Sequence, residues 1–143
     1  MIRRATAKDA GAIARVHLAT WQFAYAEILA PEDLGAPDPA ERLALWTRIL
    51  GRDDPVWVAE EGGRIVGFVA LEGEHLTELY VDPVAQGAGV GTALLAQAVA
   101  AGASELDVLA GNGHAQAFYA ARGWRDAGEG EPLRGLATRR FVL

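Results

Sequence analysis

The chain has no cysteine, a single lysine (Lys8) and a single methionine among 143 residues. Without cysteine there is no disulfide, no thiolate nucleophile and no cysteine metal site, and no metal centre is expected. No apolar run approaches the length that crosses a bilayer. The basic start, Arg3-Arg4, is not followed by the apolar stretch of a secretory leader, so a cytoplasmic location is expected. Positive charge is outnumbered, 13 Lys+Arg against 19 Asp+Glu. The resulting net charge of −6 and pI near 5.0 argue against nucleic acid or an anionic membrane as partner. What remains is an apolar-rich chain, 51% hydrophobic, long enough for one domain over 1–143 with a sizeable core.

Periodicity and breakers divide it into short elements. A strand is expected over 2–5. A helix over 9–18 follows, then a second over 21–29. Pro31, Pro37 and Pro39 mark a loop, and a helix over 40–50 carries Leu43, Leu45, Trp46, Ile49 and Leu50. Strands over 56–60 and 65–71 flank the turn Glu61-Gly62-Gly63-Arg64, and a third runs over 75–81. A helix over 89–101, a strand over 105–110, a helix over 113–121 and strands over 124–127 and 138–143 complete the series. Hairpins mixed with crossover helices imply an α/β chain of the α+β kind, a mixed sheet with helices on its faces.

The densest signal is Val81-Asp82-Pro83-Val84-Ala85-Gln86-Gly87-Ala88-Gly89-Val90-Gly91-Thr92, where a strand ends, glycines alternate and an apolar helix begins. Gly87, Gly89 and Gly91 allow successive backbone N–H groups to face one point, and the helix start adds partial positive charge. Such a loop suits an anion, a pyrophosphate above others. It is not a nucleotide P-loop, because no lysine follows Gly91, and its G-x-G-x-G spacing is not that of a dinucleotide fold. An ordinary turn with flexible glycines is the alternative.

Asn112-Gly113-His114-Ala115-Gln116-Ala117-Phe118-Tyr119-Ala120-Ala121-Arg122-Gly123-Trp124 is the second informative stretch. Asn112 stands where a helix cap is wanted, Phe118 reads as core, and Gly123 ends the helix. Tyr119 is either a core tyrosine with its hydroxyl toward solvent or a proton donor, since a phenol stays protonated at neutral pH.

With Gln86-x-x-Gly89-x-Gly91 preceding it, this stretch resembles the GCN5-related N-acetyltransferases, the GNAT superfamily. Asn112-x-x-Ala115-x-x-Phe118-Tyr119-x-x-x-Gly123-Trp124 follows the family pattern, with Trp124 in a phenylalanine place. Val66-Gly67-Phe68 and Ile2-Arg3-Arg4-Ala5-Thr6 are weaker matches. The resemblance implies a central, mostly antiparallel mixed sheet flanked by helices, with two strands splayed to form an acetyl-CoA cleft. It implies a coenzyme pyrophosphate held at Gln86, Gly87, Ala88, Gly89, Val90, Gly91 and Thr92, and Asn112 and Tyr119 near the coenzyme arm. A backbone N–H among Leu79, Tyr80 and Val81 would polarise the thioester, and Tyr119 would protonate the leaving sulfur. Homodimers through the last strands are common in the family.

Two places depart from the family. Gly87 and Ala88 occupy loop positions that commonly hold Arg or Lys, so the amides and Thr92 must hold the phosphates, with Arg122 either reaching a ribose phosphate or standing as a solvated charge. His75 occupies the place of a glutamate that serves many members as general base. Glu78 is expected as the base, His75 next and Asp107 third, each with a plain surface role as alternative. Direct attack by a small-molecule or peptide amine is expected, since an acetyl-cysteine route is impossible here. Trp21, Tyr25 and Trp46 are candidate walls of the acceptor pocket, with core packing the commoner role of aromatics at this spacing, and Glu27, Glu32 and Asp33 would favour a cationic acceptor. A non-catalytic acyl-CoA-binding module and transfer of a longer acyl group are the rival readings.

Overall fold

The structure, a computed structural model, describes residues 1–25, 38–133 and 135–143, with side chains up to residue 21 in the first of these segments. The elements run β1 (Ile2–Arg4), α1 (Ala10–Tyr25), α2 (Pro39–Gly51), β2 (Val56–Glu61), β3 (Arg64–Glu72), β4 (His75–Val81), α3 (Val90–Ala100), β5 (Glu105–Leu109), α4 (Gly113–Ala120), β6 (Arg125–Glu129) and β7 (Thr138–Val142). The strands form one sheet in the order β1-β2-β3-β4-β5-β7-β6. Every pairing is antiparallel except β4 with β5. This is the mixed, mostly antiparallel sheet expected. Among the described residues no helix is long and apolar enough to cross a membrane.

The sequence divides the early helical region at residues 18–21, but the structure does not. α1 continues through Trp21 to Tyr25, because no glycine or proline interrupts it after Gly11 and Thr20 bonds back to the Val16 carbonyl at 2.7 Å. The expected second helix is therefore the end of α1 as far as Tyr25, and its residues 26–29 lie outside the described ones. Asp38 caps α2 by accepting the Ala40 N–H at 2.9 Å, with Pro39 in the first turn, where its missing N–H costs nothing.

The sheet buries both faces. On one side α1 and α2 bring Ile13, Val16 and Trp46 onto Val56, Val58, Phe68 and Ala70. On the other, α3 and α4 bring Leu94, Leu95, Ala98 and Tyr119 onto Val69, Leu76, Leu106 and Phe141. Burying a large apolar side chain contributes about 1.5–3 kcal/mol, so these two layers are the main attraction holding helices to sheet. Gly67 sets how close α3 comes. A Cβ there would stand 3.0 Å from both Leu94 Cδ1 and the Tyr80 carbonyl oxygen.

The feature that positions the site is a bulge. β3 and β4 pair in regular register from Gly67↔Val81 to Ala70↔Glu78, and then Leu71 pairs with Leu76. Thr77 is the extra residue, and its hydroxyl bonds to the Ala70 carbonyl at 3.1 Å. A bulge bends the strand that carries it. Just before the bend, β4 is paired to β5 through His75↔Glu105 and Leu76↔Leu106. Beyond it the parallel pairing stops, and the two strands part.

Candidate functional site

A cleft of about 250 Å³ opens where β4 and β5 separate. β4 lines it with Leu76, Thr77, Glu78, Leu79 and Tyr80, and β5 with Leu106, Asp107, Val108 and Leu109. Asn112, Ala115 and Tyr119 close it from the α4 side, and His17, Trp21, Arg42 and Leu45 from α1 and α2.

The backbone of β4 has a direction in this cleft. Asp82 donates its N–H to Val66 of β3 at 2.7 Å. Antiparallel strands alternate bonded and non-bonded pairs, so Tyr80 turns its polar groups toward β3 as well. The intervening Leu79 and Val81 turn theirs away from β3, toward the side that β5 has left. Unbonded strand N–H groups aimed into a cleft are donors for an oxyanion.

The glycine loop lies at the end of β4. Asp82 accepts the Val84 N–H and also the Arg15 guanidinium at 2.8 Å, which pins the loop to α1. The Arg15 guanidinium holds the Asp82 carboxyl below the usual carboxylate range. Gln86 turns its amide back to the Val81 carbonyl at 3.2 Å. Gly87 and Gly89 adopt φ of 87° and 81°, the left-handed region that a side chain disfavours, and nothing stands within 4 Å of a Cβ at either. Gly89 is the N-cap of α3 and supplies no side-chain bond. The leading N–H groups at Val90, Gly91 and Thr92 therefore present the helix dipole without a protein cap. Gly91 sits against Phe118 and Val81. A pyrophosphate fits this arrangement: an open approach, converging amides and a helix start.

The charge missing from the loop comes from the turn that follows α4. Arg122 donates through Nε and Nη2 to the Thr92 hydroxyl at 3.0 and 2.8 Å, and through Nη1 to the Phe118 carbonyl at 2.8 Å. Its guanidinium lies 3.8 Å from the centre of the Phe118 ring. The structure thus sets Arg122 directly beside the loop.

Asn112 accepts the Ala115 N–H at 3.1 Å, capping α4, and also lines the cleft. Tyr119 is buried between Phe118, Trp124 and Phe141. Burial raises its pKa, and the charge of Glu78 raises it further, so the phenol is neutral at any ordinary pH. Among the described residues its hydroxyl makes no hydrogen bond, and Tyr119 lines the cleft.

The three candidate bases stand differently. Glu78 lines the cleft. Asp107 lines it too, but Arg140 bonds both its oxygens at 2.9 Å and holds its carboxyl well below the usual range, which makes it a poor proton acceptor. His75 is not brought to the cleft. It sits where β4 and β5 are still paired, its Nδ1 3.2 Å from a Glu105 carboxylate oxygen. The aromatic wall also divides. Trp21 lines the cleft, and the side chain of Tyr25 lies outside the described residues, as do Glu27, Glu32 and Asp33. Trp46 is not a wall but core, fully buried, donating Nε1–H to His17 Nδ1 at 3.0 Å.

Sequence reasoning missed His17 and Arg42. His17 lies one turn from both Ile13 and Trp21, a histidine on an apolar face, and its ring stacks on Tyr80 with centroids 5.2 Å apart. Because its Nδ1 accepts from Trp46, the neutral ring carries its proton on Nε2 and offers no lone pair there to a substrate. Arg42 shares a helix face with Leu45 and Trp46.

Residues 52–126 match the family model of the acetyltransferase (GNAT) domain. The chain belongs to the GNAT acetyltransferases. It is 39% identical over 80 residues to the peptidyl-lysine N-acetyltransferase YjaB of Escherichia coli (strain K12), an alignment covering 54% of each chain. The chain spans about half the length of the curated relatives it matches. A crystal structure described as a GCN5-related N-acetyltransferase from Rhodopseudomonas palustris is 27% identical, with a TM-score of 0.77, covering 100% of this chain and 95% of the other. The fold is also that of yncA from Salmonella typhimurium, a putative acetyltransferase solved with its cofactor acetyl-CoA, at 21% identity and a TM-score of 0.71 over 100% and 92% of the two chains.

Proposed function

We propose that the chain transfers an acetyl group from acetyl-CoA to an amine by direct attack within a ternary complex. The observation that carries this reading is the bend of β4 at Thr77, which opens one cleft shared by Glu78, Tyr119 and the backbone of Leu79 and Val81. The uncapped start of α3 and Arg122 hold the coenzyme pyrophosphate, with Asn112 along its arm. Bound there, acetyl-CoA supplies an activated acetyl thioester. Leu79 and Val81 stabilise negative charge developing on the carbonyl oxygen. Glu78 takes a proton from the amine, directly or through water, and Tyr119 donates its hydroxyl to the leaving sulfur.

The acceptor enters between α1, α2 and the splayed strands, against Trp21. The YjaB relatives, named peptidyl-lysine N-acetyltransferases, support a peptide amine; a small-molecule amine is the other acceptor of this chemistry. The lack of cysteine suits a single domain working in the cytoplasm. The test is release of free thiol from acetyl-CoA across a panel of amines and lysine peptides. Amine-dependent release is expected. Binding of CoA without release from any amine makes the chain an acyl-CoA-binding module instead.

A further inference from the structure

Among the described residues the Arg42 side chain has no hydrogen bond or ion pair, although it is half-buried and lines the cleft. Its position opposes local electrostatics. It lies in the opening turns of α2, where the helix dipole favours anions, as Glu41 beside it obeys. A cation placed there without a carboxylate partner raises the positive potential of that wall. The cleft's other charges lie elsewhere. Asp107 is neutralised by Arg140, and Glu78 acts on Tyr119, at the reacting end. One cleft therefore holds a carboxylate at the chemistry and an unmatched guanidinium on the α2 wall.

We infer that Arg42 is a specificity-determining residue that binds a carboxylate of the acceptor, so that the preferred amine carries an anionic group on the same molecule. The inference rests on the acetyltransferase reading. A guanidinium presents a fork of donors that fits a carboxylate with two parallel bonds, and such charge-assisted bonds are the stronger kind. An amine approaching Glu78 and Tyr119 with its carboxylate on Arg42 is oriented at both ends. Two sources share this chemistry: a free amino acid, and a lysine peptide with an acidic neighbour.

The test compares matched pairs in the presence of acetyl-CoA. One arm sets leucine against leucinamide; the other sets short capped lysine peptides flanked by Glu against the same peptides flanked by Gln. Binding of each acceptor to the CoA complex is measured by calorimetry, and turnover by thiol release. Because the two members of a pair differ in amine basicity, the readout is how the preference changes between the wild type and Arg42→Gln. The wild type should favour the carboxylate in at least one arm, and Arg42→Gln should cut that preference about tenfold to hundredfold. Arg42→Lys, which keeps the charge and loses the fork, should retain part of it. CoA affinity and a melting curve report that each variant is folded. The proposal is overturned if binding of neither pair is discriminated, or if the preference survives in Arg42→Gln. Discrimination in binding with no thiol release refutes the transferase reading and leaves the anion site standing. Thiol release without discrimination does the reverse.

Discussion

Tyr119→Phe separates a catalytic hydroxyl from a structural ring. The ring is packed against Phe118, Trp124 and Phe141, with centroids 5.2, 6.0 and 6.5 Å away, and the substitution keeps all three contacts. Among the described residues the hydroxyl has no hydrogen-bond partner to orphan, so stability should change by less than about 0.5 kcal/mol. Its chemical role can be bounded. A phenol titrates near pH 10 in water and an alkyl thiol about 1.5 units lower, so complete proton transfer from tyrosine to thiolate is uphill by about 2 kcal/mol. Burial and the Glu78 charge push the phenol higher still and make that step harder. In the proposed reaction Tyr119 would therefore act by donating one charge-assisted hydrogen bond to the sulfur as negative charge develops, rather than by giving up its proton early. Losing one such bond costs about 1.5–3 kcal/mol, or roughly 10- to 150-fold in the chemical step, the low end of what general acids supply. The assay is single-turnover acetyl transfer, in which chemistry is observed directly, beside a thermal melt and acetyl-CoA binding. The expected pattern is a slowed step with melting and affinity little changed. An unaltered single-turnover rate would refute the donor role. A melt lowered by several degrees would show that the hydroxyl has a structural bond.

Glu78→Gln should cut kcat/KM at neutral pH by about 100-fold and flatten the acidic limb of its pH profile, whereas His75→Gln, outside the cleft, should leave that limb in place. A limb moved only by His75→Gln would transfer the base to that residue. Arg122→Ala should weaken CoA binding about tenfold at low salt, with the gap to the wild type narrowing as salt is added; a salt-independent difference would point to lost packing on Phe118 instead. Acid stability should track the carboxylates whose native pKa values lie below the usual range, among them Asp9 through its bonds to Arg3 and Asp82 through its bond to Arg15. A depressed native pKa stabilises fully above the unfolded value near 4, and that stabilisation fades as pH falls through the native value. Urea unfolding between about pH 5 and pH 2 should show this decline, and Asp9→Asn should lessen its slope; an equal decline in that variant would assign the acid sensitivity elsewhere.

The parts of the site that a sequence reveals are those written in one local stretch. The alternating glycines and the Asn112 to Trp124 run each encode a turn, a cap and a helix within a dozen residues, and the structure places Asn112, Tyr119 and Arg122 around one cleft and loop. Asp107 lines the cleft from β5. Its neutralisation by Arg140 was not legible, because it depends on the register Asp107↔Arg140 between strands separated by a helix and a hairpin. Likewise the family position of His75 says nothing of where β4 bends. The extra residue is Thr77, two places later, and the bend leaves His75 on the paired side and Glu78 on the open one. Trp46 looked like a pocket wall because aromatics recur there, yet its N–H finds His17, 29 residues away, and that bond draws it into the core. Arg42 carries no motif; only the packing of α2 beside α1 brings it to the cleft.

The bonding of Arg122 explains how a loop without a basic residue can still hold a doubly charged group. Backbone amides give direction but little net charge, and an exposed arginine in the flexible loop would lose entropy on binding. Here the guanidinium is fixed beforehand by the Phe118 carbonyl and the Phe118 ring. Its two bonds to Thr92 also decide what that threonine does. Nε and Nη2 of Arg122 both point at the Thr92 hydroxyl oxygen and together engage its acceptor side. The hydroxyl proton is then left to point away from the arginine, so Thr92 is oriented as a donor at the first turn of α3, beside the amides of Val90 and Gly91. The charge absent at Gly87 and Ala88 is thereby restored from the turn after α4. Loop glycines keep the approach open, and rigid side chains behind them supply the attraction.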